Sequence, residues 1–243
     1  MAKVRKQGAP GASRSRRVGR DRRRQVVYLA VEGEGTEQDY FRAVQETLLR
    51  EGEYVLHVAP NPNGFGTARR VVDEVAKLRG DDEDAPAWAI CDLDDKVVHD
   101  RQDIAKAAKE AQEKGITFAL CNPCFEVWLY LHFANRSAPF WNQVKAIEAL
   151  RNLHPAFADY GKREGNRKRL TAQRLAALFE DENVAQACAR ARKLHDPCEN
   201  ANCDHSAKPG QVCKLEHRDP SSPLHELFAL IALDAITADR TQP

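Results

Sequence analysis

The chain has no apolar stretch long enough to cross a bilayer: its longest, such as Val26–Val31 and Ile116–Cys121, fall far short of the roughly 20 residues that a spanning helix needs. The basic N-terminus has no apolar run behind it, so a secretory signal is not expected there. An even set of cysteines, the mark of a disulfide framework, is also missing. Seven are present, and Cys91, Cys121 and Cys188 sit within apolar segments, a usage that suits a reducing compartment. No internal repeat, long linker or P-loop occurs. These absences exclude membrane-spanning and disulfide-stapled classes and predict a soluble, cytoplasmic protein.

What is present suffices for a packed core. Apolar residues make up 42% of the 243 and charged residues 30%, enough for one large domain or a medium one with an appendage. The formal net charge of +1 conceals an asymmetry: residues 1–24 hold ten Lys or Arg against one Asp, leaving 27 basic and 35 acidic residues elsewhere. A detached basic arm on an acidic body suits a polyanionic partner; a disordered solubilising tail fits the same composition.

From Gln25 onward the pattern alternates. Gln25–Val31 reads as a strand buried on both faces. Thr36 is placed to cap a helix with Asp39 as reciprocal partner, Tyr40, Phe41, Val44 and Leu48 recur at helical spacing, and Gly52 ends the helix. Tyr54–Ala59 reads as a second strand, and Thr67 caps a helix carrying Val71, Val72, Val75 and Leu78, closed by Gly80. Ala87–Leu93 is a third strand, Asp103–Lys114 a helix and Ile116–Cys121 a fourth strand; Asn122-Pro123 is the expected start of the next helix. Beyond residue 139 the segments Phe140–Leu153, Leu170–Phe179, Val184–Leu194 and Leu224–Ala238 are all helical in period. The expected fold is α/β: a parallel sheet flanked by helices over residues 25–135, then a helical region, 136–243, with a Cys/His-rich insert at 195–218.

In such sheets sites form at the carboxyl ends of the strands. Glu32 follows strand one; Asp92 and Asp94 close strand three at a spacing that puts both on one strand face. If those strands are neighbours, three carboxylates converge, and mutual repulsion is relieved by a divalent cation. An oxygen-only set selects Mg²⁺ or Mn²⁺, whose use is phosphoryl chemistry. Glu37 and Asp95, with Glu34, can supply a second ion or a general base. Carboxylates that only cap strand-end turns are the bland alternative. A dinucleotide loop is excluded: Gly33-Glu34-Gly35 has Gln38 where the third glycine belongs, and two carboxylates would face the pyrophosphate.

A strand ending in Glu-Gly, a helix, and Asp-x-Asp closing a later strand resemble the Toprim domains of topoisomerases, primases and related nucleases. Three longer strings resemble the RloB-like family of prokaryotic defence proteins: Val31-Glu32-Gly33-Glu34-Gly35-Thr36-Glu37 with Tyr40-Phe41; Asp92-Leu93-Asp94-Asp95; and Asn122-Pro123-Cys124-Phe125-Glu126-Val127-Trp128-Leu129. The resemblance covers residues 25–135 well and the helical remainder loosely. It implies a Toprim-like (Rossmann-like) fold, Mg²⁺ at Glu32, Asp92 and Asp94, and a role against phage. Relatives cut nucleic acid, including transfer RNA, and some work beside an ATPase sensor subunit.

Several residues admit two readings. Glu126 either sits in the positive first turn of a helix or faces the metal site, as the family string suggests. Cys121 and Cys124 read as buried thiols rather than a redox pair. Lys162, Arg163, Arg167, Lys168 and Arg169 form a basic loop that could grip a phosphate chain, with Arg22, Arg23 and Arg24 of the arm. The resemblance suggests that Lys162 contacts the scissile phosphate and Tyr160 stacks on a base; a solvated helix face is the alternative. Cys198, Cys203, Cys213 and His217, with His195 and His205 as spares, suit a structural Zn²⁺ in a polar insert with nothing to bury; a loop with incidental cysteines is the other reading. The leading expectation is a Mg²⁺-dependent endonuclease acting on RNA or DNA. The alternatives are a non-catalytic nucleic-acid-binding or sensor subunit and a nucleotide phosphohydrolase. Association into a homo-oligomer is left open.

Overall fold

The structure, a computed structural model, describes residues 24–93, 98–136, 138–162, 168–195 and 219–231. Four parallel strands, β1 (Gln25–Val31), β2 (Tyr54–Val58), β3 (Ala87–Asp92) and β4 (Thr117–Cys121), form one sheet in the order β2-β1-β3-β4. The near-continuous apolar runs of β1 and β3 have this cause: both strands are central, and each covers two faces. Val27, Leu29 and Val31 alternate with Tyr28 and Ala30 onto opposite sides, and a separate apolar cluster lies on each side.

Helix α1 (Thr36–Ala43) runs without a break into a wider π turn at Val44–Leu48. It packs on one sheet face through Tyr40, Phe41 and Val44. Helices α2 (Ala68–Arg79) and α3 (Val98–Glu113) cover the other face through Val71, Val72, Val75, Ile104, Ala107 and Ala111. Thr67 caps α2 as the sequence predicts, accepting the Arg70 N–H, and Gly80 closes it at φ +57°. Chain order reverses between β1 and β3, which makes their carboxyl ends the switch point of the sheet, where this architecture opens a crevice.

The remaining helices, α4 (Glu126–Leu131), α5 (Gln143–Leu153), α6 (Ala172–Leu178), α7 (Asn183–His195) and α8 (Leu224–Leu230), gather on the α1 side. Trp128, Leu150, Leu178, Cys188 and Phe228 share one apolar cluster with β1 and α1. The helical region is thus packed on the sheet. The family-independent reading of a parallel, Rossmann-like α/β fold holds.

Three helix starts differ from the sequence reading by three residues or more. Asn122 does not cap a helix: its N–H donates to the Ser221 carbonyl at 3.0 Å and its carbonyl accepts the Ser221 N–H at 2.9 Å. That bridge holds Asn122 extended, so α4 begins four residues later, at Glu126. Helix α3 starts at Val98 rather than Asp103. Helix α5 starts at Gln143 rather than Phe140, because the Asp219 carboxylate takes the N–H groups of Phe140 and Trp141 and Asn142 supplies the cap.

Candidate active site

Glu32 and Asp92 come together at the switch point. The backbone N–H of Glu32 continues the β1–β3 ladder to the Ile90 carbonyl (3.1 Å), and its carboxylate accepts the Asp92 N–H (3.2 Å). Adjacent parallel strands of matched length thus bring the two acidic residues to one edge. The loop behind Glu32 is clamped by Asn61, whose side-chain amide donates to the carbonyls of Val31, Glu32 and Gly33 at 2.9, 2.9 and 3.2 Å. Nothing in the local sequence marks Asn61 for this role, because the carbonyls it holds lie 28 to 30 residues earlier in the chain.

Behind this edge lies a second pair of carboxylates. Glu37 and Glu126 are 8% and 2% exposed. Burial, with the neighbouring negative charge of Glu126, pushes Glu37 up to about 7; its own backbone N–H and Lys168 oppose that, and Glu32 adds to it. The Lys168 ammonium lies 3.3 Å from Glu126 Oε1. Burial alone would lower the affinity of Lys168 for its proton, but the carboxylates of Glu126 and Asp92 outweigh it and raise the pKa. Tyr160 donates its hydroxyl to Glu126 (3.0 Å), and Thr36 Oγ1 lies 2.6 Å from the Tyr160 oxygen while donating to the Lys168 carbonyl at 2.6 Å. Four acidic side chains therefore share a small region with one ammonium. Glu126 stands in the first turn of α4, and its carboxylate meets Tyr160 and Lys168.

The two glycines of Gly33-Glu34-Gly35 serve this packing. A methyl on Gly33 would overlap both Glu37 carboxylate oxygens, and one on Gly35 would come 2.8 Å from the Lys168 carbonyl oxygen. Thr36 and Asp39 do not form the expected capping box. Gly35 occupies the cap position, Thr36 turns to Tyr160 and Lys168, and Asp39 binds Arg169 through two bonds of 2.6 and 2.7 Å plus the Leu170 N–H at 3.0 Å.

Other expected site residues are placed as follows. Tyr160 is fully buried, so it cannot stack on a base; its hydroxyl is consumed inside the cluster. Lys162 is exposed in a cleft beside α5, and it is Lys168 that stands next to Glu126. Arg24 donates to the Arg50 carbonyl (2.7 Å) and Arg169 holds Asp39. Cys91, Cys121, Cys124 and Cys188 are buried and in no disulfide. Burial pushes Cys121 and Cys124 well above the usual thiol range, which keeps both protonated and unreactive. Asp94, Asp95, Arg22, Arg23, Arg163, Arg167, Cys198, Cys203, His205, Cys213 and His217 lie outside the described residues. Among the described residues no three ligating side chains form a metal cluster, and no helix is long and apolar enough to cross a membrane.

A parallel four-stranded sheet flanked by helices, with acidic side chains gathered at its switch point, defines the class: an α/β protein of Rossmann-like fold. The chain matches the model of the RloB-like protein family over residues 27–230, and it belongs to that family. No curated protein and no solved structure matches it.

Proposed function

We propose that the chain is a Mg²⁺- or Mn²⁺-dependent endonuclease of Toprim type, cutting RNA or DNA as an effector of prokaryotic defence against phage, with an ATPase sensor as a candidate partner. The observation that carries the reading is the Glu32–Asp92 approach at the sheet's switch point, backed by Glu37 and Glu126. Glu32 and Asp92 offer oxygen donors alone, the kind a hard divalent cation takes, and among the described residues no third ligating side chain completes the set. Glu32 and Asp92 would hold the ion, with Asp94 following at the strand end. A bound ion supplies charge neutralisation and an acidified water at a phosphodiester.

The chain's own residues do the rest. Glu37, poised near neutrality by burial, can take a proton from an attacking water at physiological pH. Lys168 offers positive charge to a phosphate oxygen while Glu126, steadied by Tyr160, fixes its position. The apolar wall of β1, α1 and α4 keeps bulk water from the rear of the cluster.

The test is cleavage of total RNA, single-stranded DNA and duplex DNA by the full chain, with Mg²⁺ or Mn²⁺ and with EDTA. Each reaction is run alone and beside any ATPase encoded next to it. Asp92→Asn is expected to abolish cutting, at least a hundredfold by the scale of removed charge stabilisation, with an unchanged circular dichroism spectrum. Absence of metal-dependent cutting on every substrate, or full activity in Asp92→Asn, would refute the assignment.

A further inference from the structure

We propose that Trp141 and the cleft along α5 form a binding site for an unpaired stretch of nucleic acid, separate from the acidic crevice, with the indole stacking on a base and Arg151 and Lys162 facing phosphate oxygens. Trp88 and Trp128 are buried, but Trp141 is 76% exposed. Its backbone has φ +70°, the left-handed region that a side-chain-bearing residue rarely adopts. Five contacts hold the segment in that shape. Asp219 accepts the N–H groups of Phe140 and Trp141 at 2.9 and 2.5 Å, and Arg136 lies 4.3 Å over the Phe140 ring while donating to the Ala138 and Pro139 carbonyls. The fold therefore maintains an unfavourable backbone in order to hold a large aromatic ring in water. Strain retained at a surface position is a pointer to binding.

Three residues on, in the first turn of α5, Val144 is 69% exposed. Along the same helix runs a cleft of about 370 Å³ lined by Val144, Glu148, Arg151, Asn152, Ala158 and Lys162, a ligand-sized volume. Its charge is cationic in effect. Its one anion, Glu148, is paired with Lys145 at 2.9 Å and also feels the charge of Arg151, which leaves the lining with two cations against one carboxylate. Arg151 uses Nε on the Tyr160 carbonyl (2.6 Å), while its terminal nitrogens and Lys162 Nζ have no carboxylate partner among the described residues. A protein-binding centre is depleted in unneutralised charge. An exposed aromatic ring just before α5 and two cationic side chains in the cleft along that helix complement bases joined by phosphates.

This inference rests on the reading of nucleic acid as partner but needs no hydrolysis, so its test runs in EDTA. Oligo(U) and oligo(dT) of 20 nucleotides are titrated into the full chain, following tryptophan fluorescence and, separately, the anisotropy of a labelled strand. Trp141 is the exposed one of three tryptophans, so quenching reports on it. Trp141→Ala is expected to weaken binding about tenfold, within the range for loss of one stacked base. Trp141→Phe is expected to retain most of the affinity. Lys162→Ala is expected to flatten the plot of log K against log salt by about 0.7, one phosphate contact on a single strand. The RNA and DNA arms show which sugar the site accepts. Wild-type affinity in both alanine variants, no quenching, or no binding of either strand would overturn the site. So would a Trp141→Ala change from dimer to monomer at unchanged oligonucleotide affinity, which would seat a second copy there. Cleavage lost in Asp92→Asn with Trp141-dependent binding intact separates failure of one proposal from failure of the other.

Discussion

Gly33 and Gly35 stand one residue apart and answer to different neighbours. The atom that a Gly33 methyl would strike is the tip of a flexible side chain, Glu37, which can swing aside. At Gly35 the obstacle is the Lys168 backbone carbonyl, itself held by the Thr36 hydroxyl. Gly33→Ala is therefore expected to change stability by no more than about 1 kcal/mol while lowering cleavage, because Glu37 is displaced. Gly35→Ala is expected to cost on the order of 1–3 kcal/mol, the range for overpacking against atoms that cannot yield. Urea midpoints at unchanged m separate the two, and equal midpoints would contradict the geometry. From sequence, both glycines read as fragments of a phosphate loop that the carboxylates rule out. Neither constraint was legible there, because the atoms that impose the second belong to a segment some 130 residues away.

At the scale of elements, the first turn of α1 departs furthest from expectation. Thr36, Glu37, Gln38 and Asp39 are all buried; Thr36, Gln38 and Asp39 find partners elsewhere in the chain, and the Glu37 carboxylate takes its own backbone N–H. Gln38, for instance, donates to the Ala59 carbonyl at 2.8 Å. A local rule assigns Thr36 and Asp39 to a capping box because it sees only the next turn. In the folded chain the returning 168–170 segment supplies better partners. Asp39→Asn would lose the charge that grips Arg169 from both oxygens. The expected destabilisation is about 1–2 kcal/mol, kept modest because the guanidinium side is half exposed and screened; denaturant unfolding checks it. No loss of stability would mean that the 168–170 segment is held by other contacts. By contrast, the α2 cap at Thr67 and its valine face were fully legible, because cap, periodicity and terminator all lie within thirteen residues of Gly80.

Across the whole molecule, His132 links α4 to α1 and α7 in the apolar interior. Its Nδ1 lies 2.9 Å from the Trp128 carbonyl and so must carry the proton, which leaves Nε2 to accept the Tyr40 hydroxyl at 3.0 Å. Burial lowers the pKa to about 4, helped by nearby Arg190 and opposed by the Trp128 carbonyl. The unfolded imidazole takes up its proton near pH 6.5, the folded one only near 4. The unfolded state therefore binds more protons between these values, and stability is full above about pH 6.5 and falls as pH drops towards 4. The loss attributable to this group approaches about 3 kcal/mol. His132→Gln is expected to flatten the pH dependence of the unfolding free energy in that window, whatever its baseline stability. An unchanged slope would place the acid sensitivity elsewhere.

Strand and helix order, the two-sided burial of β1 and β3, the buried cysteines and the acidic residues at strand ends all follow from the order of residues alone. Each depends on burial that repeats every two or 3.6 positions, and such periodicity is written locally. What only the packed chain decided is which polar groups meet: Glu126 with Glu37 and Lys168, Tyr160 turned inward, Thr36 and Asp39 drawn away from their own helix, and Trp141 held outward by Asp219. A hydrogen bond or ion pair between residues far apart in sequence leaves no period in either segment. It exists only after the sheet and helices have brought the two ends within a few ångströms.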